Sequence, residues 1–153
     1  MTRMKAKTRI EVFRWACFNA IIGNGDAHLK NLSFFIRKNF ISMTPHYDLL
    51  STAIYEVTSK HLEHELAQEM GEAQFLSDLT FPHVLTFAGE LGLPEKLAKT
   101  VVTKLITQIV PASMALIEYV ASQPTASKPG ELRMLREIHF NCILEMTKRM
   151  VPK

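Results

Sequence analysis

Asp26, His28, Lys30 and Asn31 lie within six residues of one another, and Asp48 follows after a short interval. The first group places an acid, an imidazole, an ammonium and an amide in one turn of chain, between Gly23-Asn24-Gly25 and Leu32. A positioned carboxylate can orient a hydroxyl and accept its proton. Amide and carboxylate oxygens are hard ligands, and magnesium needs only one or two of them because it keeps waters and substrate oxygens. Lys30 and His28 can donate to phosphate oxygens and balance charge there. These parts fit phosphoryl transfer, which asks a protein for positioning and electrostatics more than for covalent chemistry. They work together only if Asp26, Asn31 and Asp48 meet in space.

Three elements must bring them together. Thr8-Arg9-Ile10-Glu11 reads as a capping box that opens a helix. Ile10, Phe13, Cys17 and Ile21 recur at helical spacing, and Val12, Trp15, Ala16, Phe18 and Ile22 add apolar surface on other sides. A helix apolar on most faces is buried on most faces. Gly23 stops it, and Asn24-Gly25 begins a turn. Leu32–Ile36 and Phe40–Met43 read as two strands joined at Arg37-Lys38-Asn39, with Pro45 closing the second. Such a hairpin returns the chain to its start and sets Asp48 beside Asp26.

Downstream, His61–Met70 reads as a polar helix and Gly71 interrupts the pattern. Phe81–Leu91 is a helix capped by Thr80 and ended by Gly92. After Leu93-Pro94, Leu97, Val101, Leu105 and Ile109 mark an amphipathic helix that Pro111 should kink or break before Ala112–Val120 resumes. Pro124–Gly130 is a loop, and Glu131–Met150 is a final helix. The fold expected is mainly α, with one small β-hairpin near the N-terminus, in a single domain over residues 1–153.

Composition narrows the function classes. A net charge of +3 is too weak to argue for direct nucleic-acid binding. No apolar run is expected to cross a bilayer, and no secretory segment opens the chain, so the expectation is a cytoplasmic protein without a membrane partner. Cys17 and Cys142 fall in apolar helix patterns and read as buried free thiols. His61 and His64 have a zinc-compatible spacing, but no further ligand motif joins them and a solvated face is the plainer reading.

In protein-kinase catalytic loops the base Asp precedes a metal-binding Asn by five positions, as Asp26 precedes Asn31. Gly23-Asn24-Gly25-Asp26-Ala27-His28-Leu29-Lys30-Asn31, followed by Thr44-Pro45-His46-Tyr47-Asp48-Leu49-Leu50-Ser51, resembles the C-terminal lobe of HipA-like serine/threonine kinases, the toxin half of bacterial toxin–antitoxin pairs. The resemblance implies a kinase C-lobe fold, with Asp26 as catalytic base, His28 and Lys30 in the catalytic loop, and Asn24 and Lys30 near the cofactor. It implies Asn31 and Asp48 as ligands of magnesium, with ATP as the nucleotide. It also implies a helix-turn-helix antitoxin as partner and a protein of translation as substrate. No phosphate-covering loop or strand-borne lysine precedes the motif, so the expectation is a C-lobe without its N-lobe, which a second polypeptide would supply in trans. The alternatives are a non-catalytic binding lobe for an antitoxin or another protein, or a truncated remnant.

Overall fold

Helix α1 (Thr2–Ile22) forms the spine of the fold. The computed structural model describes residues 2–38, 40–55, 63–124 and 128–152. Phe13, Trp15, Cys17 and Ile21 of α1 are buried, and the helix packs against one strand of the first hairpin and several of the later helices. Each such apolar side chain contributes about 1.5–3 kcal/mol by leaving water. The helix begins at Thr2, ahead of the capping box expected at Thr8. Residues 2–7 contain no helix breaker, and Glu11 pairs with Lys7 one turn back, 3.7 Å away, within a helix already under way.

The expected hairpin is present. Strands β1 (Phe34–Arg37) and β2 (Phe40–Met43) are antiparallel, with Phe34 opposite Met43 and Ile36 opposite Ile41. A second hairpin was not expected. Strands β3 (Glu65–Met70) and β4 (Ala73–Phe75) pair antiparallel around Gly71, whose φ of +58° suits a residue without Cβ. This corrects the helix expected over His61–Met70, of which His61 and Leu62 lie outside the described residues. Glu, Leu, Ala, Gln and Met favour helix locally. Burial of Met70 and Ala73 and the anchoring of Gln68 on the preceding loop outweigh that preference.

The remainder is helical: α2 (Phe81–Glu90), α3 (Glu95–Ser122), α4 (Lys128–Glu137), a π-helical turn (Ile138–Ile143) and α5 (Leu144–Met150). Thr80 caps α2 as expected; its backbone N–H donates to His83 Nδ1, which takes the place of the usual acidic partner. Helix α3 passes through Pro111 as one helix, so of the expected kink or break the break does not occur. Ile109 and Ile117, on either side of the proline, are both buried, and this packing opposes the roughly 3 kcal/mol cost of an internal proline. By length and composition α3 also meets the requirement for a membrane span, contrary to the sequence expectation. In this fold its Ala98, Val101 and Val102 belong to the core.

Candidate functional site

The loop after α1 is held open by a ladder of amides. Asn19 Nδ2, at the end of α1, donates to Trp15 O, and Asn24 Nδ2 donates to Asn19 Oδ1 at 2.8 Å. Asn24 Nδ2 also reaches Asp48 O at 3.2 Å, while Asn24 Oδ1 accepts from the Asp26 N–H at 3.0 Å. Asn19 and Asn24 are both buried, so these bonds satisfy amides that would otherwise be costly to enclose. Asn24 was expected at the cofactor. Its side chain is committed inside the loop, where it ties the Asp26 segment to the Asp48 segment.

Gly23 begins the loop at φ +71°. A Cβ there would lie 2.8 Å from Ala53 Cβ and 3.0 Å from Cys142 Sγ. Only glycine allows this turn to seat against the segment after Asp48 and against the π-helical turn. Ala53 N donates to Gly23 O, and the Gly25 N–H donates to Thr52 Oγ1 at 2.7 Å.

The Asn31 side chain joins the Asp26 backbone to the Asp48 side chain. Asn31 Nδ2 donates to Asp26 O at 3.0 Å and to Asp48 Oδ2 at 2.9 Å. Asp48 adopts φ +56°, the one positive φ outside glycine among the described residues. Aspartate tolerates this region better than most residues, but it still costs about 1 kcal/mol or more, and such strain collects at functional sites. Tyr47, the preceding residue, exchanges a 2.8 Å hydrogen bond with Ser33 Oγ and donates to Lys30 O at 3.1 Å, so it fastens the hairpin to the loop.

Asp26 and His28 face outward. His28 Nε2 lies 3.0 Å from Asp26 Oδ1, with both side chains largely exposed. Lys30 is exposed and its ammonium makes no ion pair among the described residues. Sequence reasoning missed Gln68: its Nε2 donates to Ala27 O at 3.1 Å and pins β3 under the loop. The long separation in sequence left no local signal for it.

The residue types of Asn31 and Asp48 suit magnesium, although Asn31 turns its amide nitrogen, not its oxygen, toward Asp48. An amide and a carboxylate stand side by side in Asn31 and Asp48, and no group of three or more His, Cys, Asp or Glu side chains suited to a metal occurs among the described residues. Few protein oxygens, with the rest supplied by water and phosphate, is the pattern magnesium favours. On another side of Asp26 lies an open cleft of about 500 Å³, lined by Gly25, Asp26, Thr52, Glu63, His64, Glu65 and Phe75. Asn31 and Asp48 do not line it.

The chain is similar to known proteins over this whole region. The family of HipA-like C-terminal domains matches residues 1–113. The serine/threonine-protein kinase toxin HipA of Shewanella oneidensis is 33% identical over 107 residues, covering 70% of this chain and 24% of that protein. A putative kinase, Y4mE, of Sinorhizobium fredii is 31% identical over 121 residues, covering 77% of this chain and 28% of its own length. Among solved structures, a chain in the complex of Shewanella oneidensis MR-1 HipA, HipB and operator DNA superposes with a TM-score of 0.75 at 26% identity, over 96% of this chain and 34% of that one. The chain thus spans about a quarter of the length of these curated relatives. With the loop, the hairpin and the mainly helical body all in agreement, the chain belongs to the HipA-like C-terminal domain family.

Proposed function

We propose that this chain is the metal- and acceptor-binding lobe of a HipA-like protein serine/threonine kinase. The observation that carries the reading is the Asn31 amide, which joins the backbone of Asp26 to the carboxylate of Asp48. In this reading Asp26 orients the acceptor hydroxyl and takes its proton, with His28 holding Oδ1 of the same carboxylate. Asn31, with its amide turned to present oxygen, and Asp48 would hold magnesium, and the ion would neutralise phosphate charge on ATP. Lys30 stands at the loop surface, where an ammonium can meet phosphate.

A nucleotide-binding lobe completes the site, in the same polypeptide or in another. Ile36 and Ile41, paired across the hairpin, are exposed, as are Phe35 on the other face and Leu29, Leu49 and Leu50 beside the loop, and exposed apolar surface of this kind favours a protein contact. The relative solved with HipB and operator DNA supports an antitoxin-type protein as a further partner. The same exposed residues favour the second reading, a lobe that binds protein without catalysis.

Calorimetric titration with ATP, with and without magnesium, separates the two. The kinase reading expects magnesium-dependent binding that Asp48→Ala removes. Binding indifferent to magnesium, or none up to millimolar nucleotide, overturns a preformed metal half and leaves the protein-binding lobe.

A further inference from the structure

We infer that Asn19 is a positioning residue: acting through Asn24, it sets the Asp26 and Asp48 segments relative to each other and to α1. This deepens the kinase reading and rests on it for the use made of the two acids. Asn19 lies in the last turn of α1, and both it and Asn24 are buried. Asn19 therefore acts on the site only through other groups. Its side chain opens a relay of three hydrogen bonds that ends on both loops. No hydrogen bond in that relay involves a charged side chain, so salt does not screen it.

The relay has a direction, and α1 sets it. A backbone carbonyl only accepts, so Asn19 turns its Nδ2 to Trp15 O at 2.9 Å. Its Oδ1 then faces the loop and accepts from Asn24 Nδ2 at 2.8 Å. The same nitrogen donates to Asp48 O at 3.2 Å, which uses both of its protons. Asn24 Oδ1 is left to accept from the Asp26 N–H at 3.0 Å. A reversed Asn24 amide would set donor against donor at Asp26 and acceptor against acceptor at both Asp48 O and Asn19 Oδ1. Asp48 also needs restraint, because a residue at φ +56° stays there only where its surroundings over-determine it. Asn24 holds its carbonyl and Asn31 its carboxylate. Asn19, Asn24 and Gln68 line a cavity of only about 10 Å³ beneath Ala27, whose carbonyl accepts from Gln68. So small a space keeps the Asn24 amide from swinging out of line.

The test uses the full chain, labelled for NMR, and Asn19→Leu, which keeps a branched side chain and removes both of its hydrogen bonds. Val84→Ala, a buried change in α2 outside the relay, is the control for lowered stability. In Asn19→Leu the Asp26 N–H should exchange about tenfold faster than in wild type, as for a weakened hydrogen bond. The Asp48 carbonyl carbon should shift in the same spectra. Val84→Ala should change neither, because local exchange does not follow global stability. Mn²⁺ affinity, read by electron paramagnetic resonance, should fall about tenfold in Asn19→Leu and hold in Val84→Ala. Unchanged Asp26 exchange, the same acceleration in Val84→Ala, or undiminished Mn²⁺ affinity in Asn19→Leu overturns the inference. Should Asn19→Leu not fold, the wild type decides. Both Asn24 Nδ2 protons should then exchange slowly, and rapid exchange of either overturns it. The exchange measurements need no metal or nucleotide, so their failure is distinct from a failure of the magnesium–ATP titration. A wild-type chain that binds no Mn²⁺ overturns the metal reading and leaves exchange to judge Asn19.

Discussion

Asn31 Nδ2 donates to Asp48 Oδ2 at 2.9 Å, across the whole of the β1–β2 hairpin. One amide thereby fixes the distance between two loops that meet only because the hairpin returns the chain. Asn31→Ala should abolish manganese binding, read by calorimetry with Mn²⁺ standing in for magnesium. Asp48 is exposed and Asn31 half-buried, so loss of the two hydrogen bonds should lower stability in chemical denaturation by only about 1 kcal/mol. Undiminished metal binding would remove Asn31 from the proposed ligand set.

Conformation and chemistry can be separated at Asp48. Its φ of +56° is costly for alanine and free for glycine. Asp48→Ala should lose about 1 kcal/mol in chemical denaturation, whereas Asp48→Gly should stay near wild type. Both variants should lose metal binding alike. A stable but metal-binding Asp48→Gly chain would contradict the assignment of the carboxylate.

Gly23→Ala should be among the most damaging small changes. The new methyl would enter at 2.8 Å from Ala53 Cβ, in a backbone region that already disfavours it. The expected cost is about 2–4 kcal/mol, from strain and overpacking together. Differential scanning calorimetry should show the midpoint fall by roughly 5–15 °C.

Burial pushes the His139 imidazole below its ordinary 6.5, with Ser113 Oγ at 2.8 Å from its Nδ1. The unfolded chain then binds a proton that the folded chain refuses. His139 therefore contributes stability that is complete above 6.5 and declines as pH falls from there toward the lower folded value. Thermal midpoints measured from about pH 8 to pH 5 should drop more steeply for wild type than for His139→Gln. Parallel profiles would show that the histidine does not titrate differently on folding.

Cys17 and Cys142 are both buried, and desolvation pushes both thiols up, with a hydrogen bond from Ser51 partly offsetting this at Cys142. A thiol-disulfide reagent should leave both unreacted in the native chain and modify both in denaturant, because only the thiolate attacks. Rapid reaction of Cys142 in the folded chain would reveal opening between the π-helical turn and the Gly23 loop.

The parts of this protein legible in the sequence are those specified by neighbours along the chain. The apolar surface of α1, the glycine stop, the turn after it, the β1–β2 hairpin and the Thr80 cap all follow from local periodicity and turn chemistry. Asp26, Asn31 and Asp48 were recognisable together because their spacing and flanking residues carry the pattern. Tertiary structure decided the rest. Residues 65–70 prefer helix on their own and become a strand because Gln68 anchors on Ala27 and Met70 enters the core. Helix α3 continues through Pro111 because the flanking turns are packed. The acidic cleft exists only where β3 and β4 stand beside the Asp26 loop. Such outcomes depend on contacts between residues far apart in sequence, and their free energy exceeds the few tenths of a kcal/mol per residue that local preference supplies.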